Sequence, residues 1–106
     1  MKDMAYKLII TQSFEDDLDE VLYYISRKLY NPSAAKRLLT KTKEVISHIE
    51  DNPLLYTLYH DEALAKRGYR YAVVANYLLF YYIDEAEQTV NVARFLYGGQ
   101  NVVNII

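Results

Sequence analysis

The chain has 106 residues, of which 52% are hydrophobic and 25% charged, with a formal net charge of −2 and no cysteine. Such a composition describes a single folded domain spanning 1–106 and excludes a disordered chain, a disulfide framework and any thiolate metal or redox site; it also argues against a uniformly basic nucleic-acid binder. No apolar run approaches the roughly 18 residues of a membrane span, and the opening MKDMAYKL has no signal-peptide apolar core, so the expected location is the cytoplasm with no membrane partner.

Residues 5–11, AYKLIIT, are rich in β formers and predict a short first strand. Ser13 offers a helix N-cap, and the acids after it suit the positive end of a helix dipole. Phe14, Leu18, Val21, Leu22, Ile25 and Leu29 recur at helical spacing and predict a surface helix. Asn31 and Pro32 cap and open a second helix, whose apolar positions Ala35, Leu38, Leu39, Thr42, Val45, Ile46 and Ile49 run to about Glu50. Asp51-Asn52-Pro53 stops it, because the residue before proline is pushed out of the α region. Two helices joined by so short a turn predict an antiparallel hairpin.

Residues 53–68 show no period and read as a long, partner-facing connection. From Tyr69 the pattern becomes that of strands. YRYAVVA places Tyr69, Tyr71 and Val73 on one face and Arg70, Ala72 and Val74 on the other. Ala75-Asn76 turns into NYLLFYYI, apolar on both faces and therefore central. After the polar turn 84–87, QTVNVARFLY places Val90, Val92, Arg94 and Leu96 on one face, with Asn91, Ala93, Phe95 and Tyr97 on the other. The apolar tail NVVNII follows the pair Gly98-Gly99, a pair that suits either positive φ or close backbone approach. The fold class is α+β: an N-terminal strand and a two-helix antiparallel hairpin packed on one face of a small antiparallel sheet, with the first strand at an edge of the meander.

The charges are segregated. Glu15, Asp16, Asp17, Asp19 and Glu20 form a run without a base, and Arg27, Lys28, Lys36, Arg37, Lys41 and Lys43 a run without an acid. Solvated helix surface accounts for the basic run on sequence grounds. His48 and His60 match no zinc spacing, so no metal is expected. Nucleophile motifs, phosphate-binding glycine loops and dinucleotide fingerprints are missing, and no cofactor is expected. What remains is a basic, tyrosine-bearing group of Arg67, Arg70, Arg94 and Tyr97, with Lys66 beside it. Arginine binds phosphate bidentately, and tyrosine stacks on bases or transfers protons. On spacing alone, these arginines solvate a strand edge or pair with Asp61, Glu62, Asp84 or Glu85.

The segments YKLIIT, FEDDLDEVLYYIS, NPSAAKRLL, DNPLLY and, most specifically, RGYRYAVVANYLLFYYIDEAEQTVNVARFLYGGQN resemble the RelE/ParE superfamily of toxins from type II toxin–antitoxin systems, from Tyr6 to Asn101. The resemblance implies a growth-inhibiting toxin held inactive by a cognate antitoxin, which Leu54, Leu55, Tyr56 and Tyr59, with Leu58, would contact, and operator DNA bound only through that antitoxin. It implies one of two activities. A ParE-like member binds and poisons DNA gyrase; a RelE-like member cuts mRNA on the ribosome. Lys66, Arg67, Arg70, Arg94, Tyr97 and Gln100 would meet the target, and Arg94 and Tyr97 would be catalytic only in a ribonuclease. RelE-like members carry arginines where Leu78 and Gly99 stand here, which favours the binding reading. ParE-like relatives commonly carry arginine at the second place too, so Gly99 also raises the possibility of an attenuated toxin.

Overall fold

The computed structural model describes residues 6–106; Ala5, which the sequence pattern includes in the first strand, lies outside them. The elements are β1 (Lys7–Ile10), α1 (Gln12–Tyr23) continued by a π-helical turn (Tyr24–Lys28), α2 (Pro32–Asp51), α3 (Glu62–Lys66), β2 (Arg70–Val74), β3 (Tyr77–Asp84), β4 (Thr89–Tyr97) and α4 (Val102–Ile105). The sheet order is β1-β4-β3-β2, and β2, β3 and β4 form the expected antiparallel meander with β3 internal. β1 takes the β4 edge, but parallel to it, so the sheet is mixed. The path of the helices explains this. The Tyr81 hydroxyl donates to the Pro53 carbonyl at the end of α2 (2.7 Å), and Tyr81 pairs with Arg70. The hairpin thus returns the chain to the level where β1 ended, and β2 and then β4 run in the same direction as β1. Among the described residues no helix is long and apolar enough to cross a membrane.

Apolar side chains pack on both faces of the sheet. On the helix side Phe14, Leu38 and Ile49 meet Ala72, Val74, Leu79, Tyr81, Val90, Val92 and Phe95. On the other side Phe80, Leu96 and Val102 form a smaller cluster joined by Tyr59, Tyr69, Tyr71, Leu78 and Ile106. The C-terminal tail therefore covers its own sheet.

Three expectations are corrected. The N-cap of α1 is Thr11, not Ser13: its Oγ1 accepts from the Phe14 amide (3.1 Å) and donates to the Ala93 carbonyl (2.9 Å), so one hydroxyl both starts the helix and ties it to β4. The connection 53–68 holds ordered elements that its lack of period does not show. Leu58 bridges to Arg70 at the β2 edge, and Asp61 caps the short helix α3, whose single buried residue Leu64 is too little to show a period. Finally, β4 does not alternate throughout. Tyr81 pairs with Val92 but Phe80 pairs with Arg94, leaving Ala93 as the extra residue of a β-bulge. Past it the faces exchange: Phe95 joins Val90 and Val92 in the helix-side core, and Leu96 joins Phe80 on the other side.

Phe95 is 1% exposed and lies 5.8 Å edge-to-face from Phe14 and 5.2 Å in a stack with Tyr77. Phe95→Ala should lower the unfolding free energy by about 3–5 kcal/mol in a urea titration. Val73→Ala, at an exposed edge position, should cost under about 1 kcal/mol. Equal losses would show that the bulge does not turn Phe95 inward.

Candidate functional site

β1 ends opposite Val92, while β4 continues to Tyr97. The outer backbone edge of residues 93–97 would then be bare, and an unpaired edge needs partners. Side chains of the first α1 turns supply them. Besides the Thr11 contact to Ala93, the Asp17 carboxylate accepts from the Phe95 amide (Oδ2, 3.0 Å) and takes the Arg94 guanidinium bidentately, Nε to Oδ2 at 2.7 Å and Nη2 to Oδ1 at 3.0 Å. The Asp17 and Arg94 side chains are 14% and 25% exposed, so water screens this pair only partly. Its hydrogen bond to Asp17 raises the Arg94 pKa above its already high value, with partial burial acting the other way.

Arg94 separates two cavities. One, about 410 Å3, is lined by Asp17, Glu20, Tyr77, Arg94, Tyr97, Gln100 and Ile105 among others; the second, about 200 Å3, by Thr11, Ser13, Tyr69, Tyr82, Ala93, Arg94 and Ile106. In the first, Tyr97 is half exposed and its ring meets Tyr77 edge-to-face at 6.0 Å. Gln100 is fastened to Tyr97: its Oε1 accepts from the Tyr97 amide (3.0 Å), and its own amide donates to the Tyr97 carbonyl (3.1 Å). Burial raises the Tyr77 pKa, with the neighbouring Tyr24 and Tyr97 adding to it, so its hydroxyl is a neutral hydrogen-bonding group at physiological pH.

The glycine pair serves close approach, not positive φ. The Gly98 amide donates to the Asn76 carbonyl at 2.9 Å, and a Cβ at Gly98 would stand 3.2 Å from that oxygen. A Cβ at Gly99 would stand 2.6 Å from Cε2 of Tyr97. The ring of Tyr97 thus fills the space that any side chain at position 99 would enter.

Arg94, Tyr97 and Gln100 are thus brought together, and Lys66, Arg67 and Arg70 stand apart from them. Lys66 pairs with Glu62 on the surface of α3 (3.9 Å). The Arg67 guanidinium lies 5.1 Å from the centre of the Tyr69 ring, which packs edge-to-face on Tyr82 at 5.4 Å, so a tyrosine pair links Arg67 to the second cavity. Arg70 donates to the Tyr56 carbonyl (2.7 Å) and holds the 53–59 loop in place. Along that loop Leu54, Leu55 and Leu58 are exposed, while Tyr56 packs into the helix-side core and Tyr59 among Tyr71, Phe80 and His60. Among the described residues no group of three or more His, Asp or Glu could hold a metal ion.

Sequence reasoning placed Asp17 among acids that complement the helix dipole, and so missed the partner of Arg94. The signal was available: Asp17 lies three residues after Phe14 and four before Val21, inside the apolar stripe, where an acid needs a partner. Tyr69, Tyr77 and Tyr82, on strands whose neighbours the sequence does not fix, were likewise unassigned.

The family model of the ParE toxin of type II toxin–antitoxin system, parDE, matches residues 8–102. The chain belongs to this family. Among solved structures, the chromosomal ParDE toxin–antitoxin system from P. aeruginosa superposes with a TM-score of 0.71 at 13% identity, covering 90% of this chain and 98% of that one. The toxin–antitoxin complex RelBE2 from Mycobacterium tuberculosis superposes with a TM-score of 0.61 at 21% identity, covering 88% of this chain and 98% of that one. At these identities the likeness is one of fold. No curated protein sequence matches the chain. This ParE-family toxin thus carries, at the end of its last strand, an arginine already engaged by its own helix.

That engagement can be measured. Asp17→Asn and Arg94→Gln should each destabilise the chain, and their double-mutant cycle should give a coupling of about 1–2 kcal/mol. A coupling near zero would reduce the pair to a surface contact.

Proposed function

We propose that this chain is the toxin of a type II toxin–antitoxin pair, acting in the cytoplasm, kept inactive by a cognate antitoxin and inhibiting growth by binding DNA gyrase. Family membership supports the toxin role. The binding mode rests on one observation, the bidentate Asp17–Arg94 pair. A ribonuclease needs cationic charge for the phosphorane that forms as RNA is cut. Here the one arginine lining the cavity with Tyr97 has its Nε and Nη2 on a carboxylate that offsets its charge, and positions 78 and 99 carry leucine and glycine. Arg67, Tyr97 and Gln100 serve as contacts to the target, with Lys66, Arg70 and the paired Arg94 shaping the surface around them. The antitoxin takes Leu54 and Leu55, which project to solvent, with Tyr56 on the helix side of the sheet and Tyr59 on the other; operator DNA is recognised only through it.

The second reading, a ribosome-dependent mRNA endoribonuclease with Arg94 and Tyr97 as catalytic residues, is favoured by one feature: both line the same open cavity of about 410 Å3. Induction of the isolated gene in bacteria separates the two. The binding reading expects filamentation and DNA-damage signalling with intact mRNA; early translation arrest with cleaved mRNA would overturn it. If Gly99 attenuates the toxin, Gly99→Arg should increase toxicity, although its Cβ must displace the Tyr97 ring. Unchanged or lower toxicity in a folded Gly99→Arg variant would remove that idea.

A further inference from the structure

Bases gather on the exposed face of α2. Its buried positions are Ala35, Leu38, Thr42 and Ile49, which leaves Lys36, Arg37, Lys41 and Lys43 on the opposite, exposed side. Arg27 and Lys28, exposed at the end of the α1 π-turn, extend this basic half of the hairpin. The opposite half of the hairpin carries Glu15, Asp16, Asp19 and Glu20, with Glu50 and Asp51 at the end of α2.

A helix face that serves only solubility mixes signs and gains from i,i+4 pairs of opposite charge. On α2 four bases outweigh the one acid that stands among them, Glu44. Arg37 and Lys41 are a like-charged i,i+4 pair, Lys36 and Arg37 lie near the positive end of the helix dipole, and the first turn of α2 contains no acid. Among the described residues none of the six bases forms an ion pair; the pairs are Lys66–Glu62 and Arg94–Asp17. The helix tolerates two unfavourable electrostatic arrangements on one side, which an external polyanion would relieve.

The chemistry of that face narrows the polyanion. None of the exposed large hydrophobic residues lies between Tyr30 and Leu54, so α2 offers a protein partner no aliphatic or aromatic anchor. Nor does it offer the aromatic faces on which a single strand would stack. Between the bases stand Ser33, Thr40 and Ser47, short hydroxyl side chains of the kind that contact phosphate oxygens. Lys36, Arg37 and Lys41 also border an open depression of about 830 Å3 against Ala75 at the β2–β3 turn, which Glu44 lines too. From Arg37 to Lys41 the helix rises about 6 Å, comparable with two phosphate steps of about 3.4 Å along one strand of a duplex.

We infer that the exposed face of α2 binds the phosphate backbone of duplex DNA without reading its sequence. The choice of DNA rests on the gyrase reading, because gyrase holds duplex DNA and a toxin bound to it can meet that DNA. That the exposed cations have no stacking group among them rests on α2 alone.

The test uses the purified full chain and a fluorescently labelled DNA duplex two helical turns long, with anisotropy followed between about 50 and 200 mM salt. The wild-type chain should bind with log K falling against log salt at a slope of about −3 to −4, for three or four neutralised phosphates. Neutralising Lys36, Arg37 and Lys41 together (to Gln) should reduce the magnitude of that slope by about 3; Lys7→Gln, on exposed β1, should leave it unchanged. Circular dichroism checks that the triple variant is folded, and Lys36→Gln with Lys43→Gln replaces it if it is not. The inference is overturned if the duplex does not bind at low salt, if the slope ignores the α2 substitutions, or if a single strand or duplex RNA of the same length binds more tightly. No gyrase is present in the assay, so its failure leaves the gyrase reading standing; conversely, a chain that binds duplex DNA but does not affect gyrase keeps this face and loses that reading.

Discussion

A nine-residue strand beside a four-residue one leaves backbone to be closed, and in this protein Asp17 does most of the closing. Its carboxylate accepts from the Phe95 amide and from Nε and Nη2 of Arg94, while the Thr11 hydroxyl a turn and a half earlier donates to the Ala93 carbonyl. These contacts fix where α1 crosses the sheet. With α1 fixed, the short turn after it aligns α2, and α2 delivers Pro53 to the Tyr81 hydroxyl at the level where β2 must start. Breaking such a partly buried pair leaves one charge and one amide facing the core rim without a partner, a larger effect than its exposed counterpart Lys66–Glu62 could have.

The bulge at Ala93 makes this pairing possible. In regular alternation Arg94 would share a face with Val90 and Val92 and compete for the apolar core. The extra residue turns Phe95 into that core and takes Arg94 to the register position opposite Phe80, at the strand edge within reach of α1. Bulges recur beside functional sites because they re-aim a side chain. Here the re-aimed side chain is used twice: it anchors a helix and it forms the wall between two cavities.

Much of this was legible in the sequence. The helical stripes, the Asn31-Pro32 start of α2, the stop at Pro53 and the doubly apolar β3 follow from local periodicity and capping, and the structure has each of them. What was not legible depends on long-range pairing. Alternation along β4 predicts a straight strand, and a bulge depends on how β3 and β4 are registered. The direction of β1 is decided by the helical hairpin as a whole. Of the site, Arg94, Tyr97 and Gln100 were readable from one contiguous stretch. Asp17, 77 positions from Arg94, was hidden within a run of acids that the helix dipole explained equally well.

The two charged regions of the molecule illustrate opposite uses of electrostatics, and this bears on how a toxin of this build can act. At the β4 end, charge is internally satisfied: the guanidinium has its carboxylate, and the neighbouring tyrosines pack on one another and on Gly99. On the binding reading proposed above, a target gains little by competing for an arginine already paired in a partly dry site, and recognition there would fall to shape and to the exposed tyrosine and amide groups. On α2 the charge is exposed and forms no ion pair among the described residues, and attraction there is long-ranged, screened by salt and effective in steering encounter. A protein that acts by stoichiometric binding needs both: a field that orients approach and a rigid surface that fits on arrival. Turnover would instead demand free charge at the β4 end, where the fold has used its arginine to hold a helix.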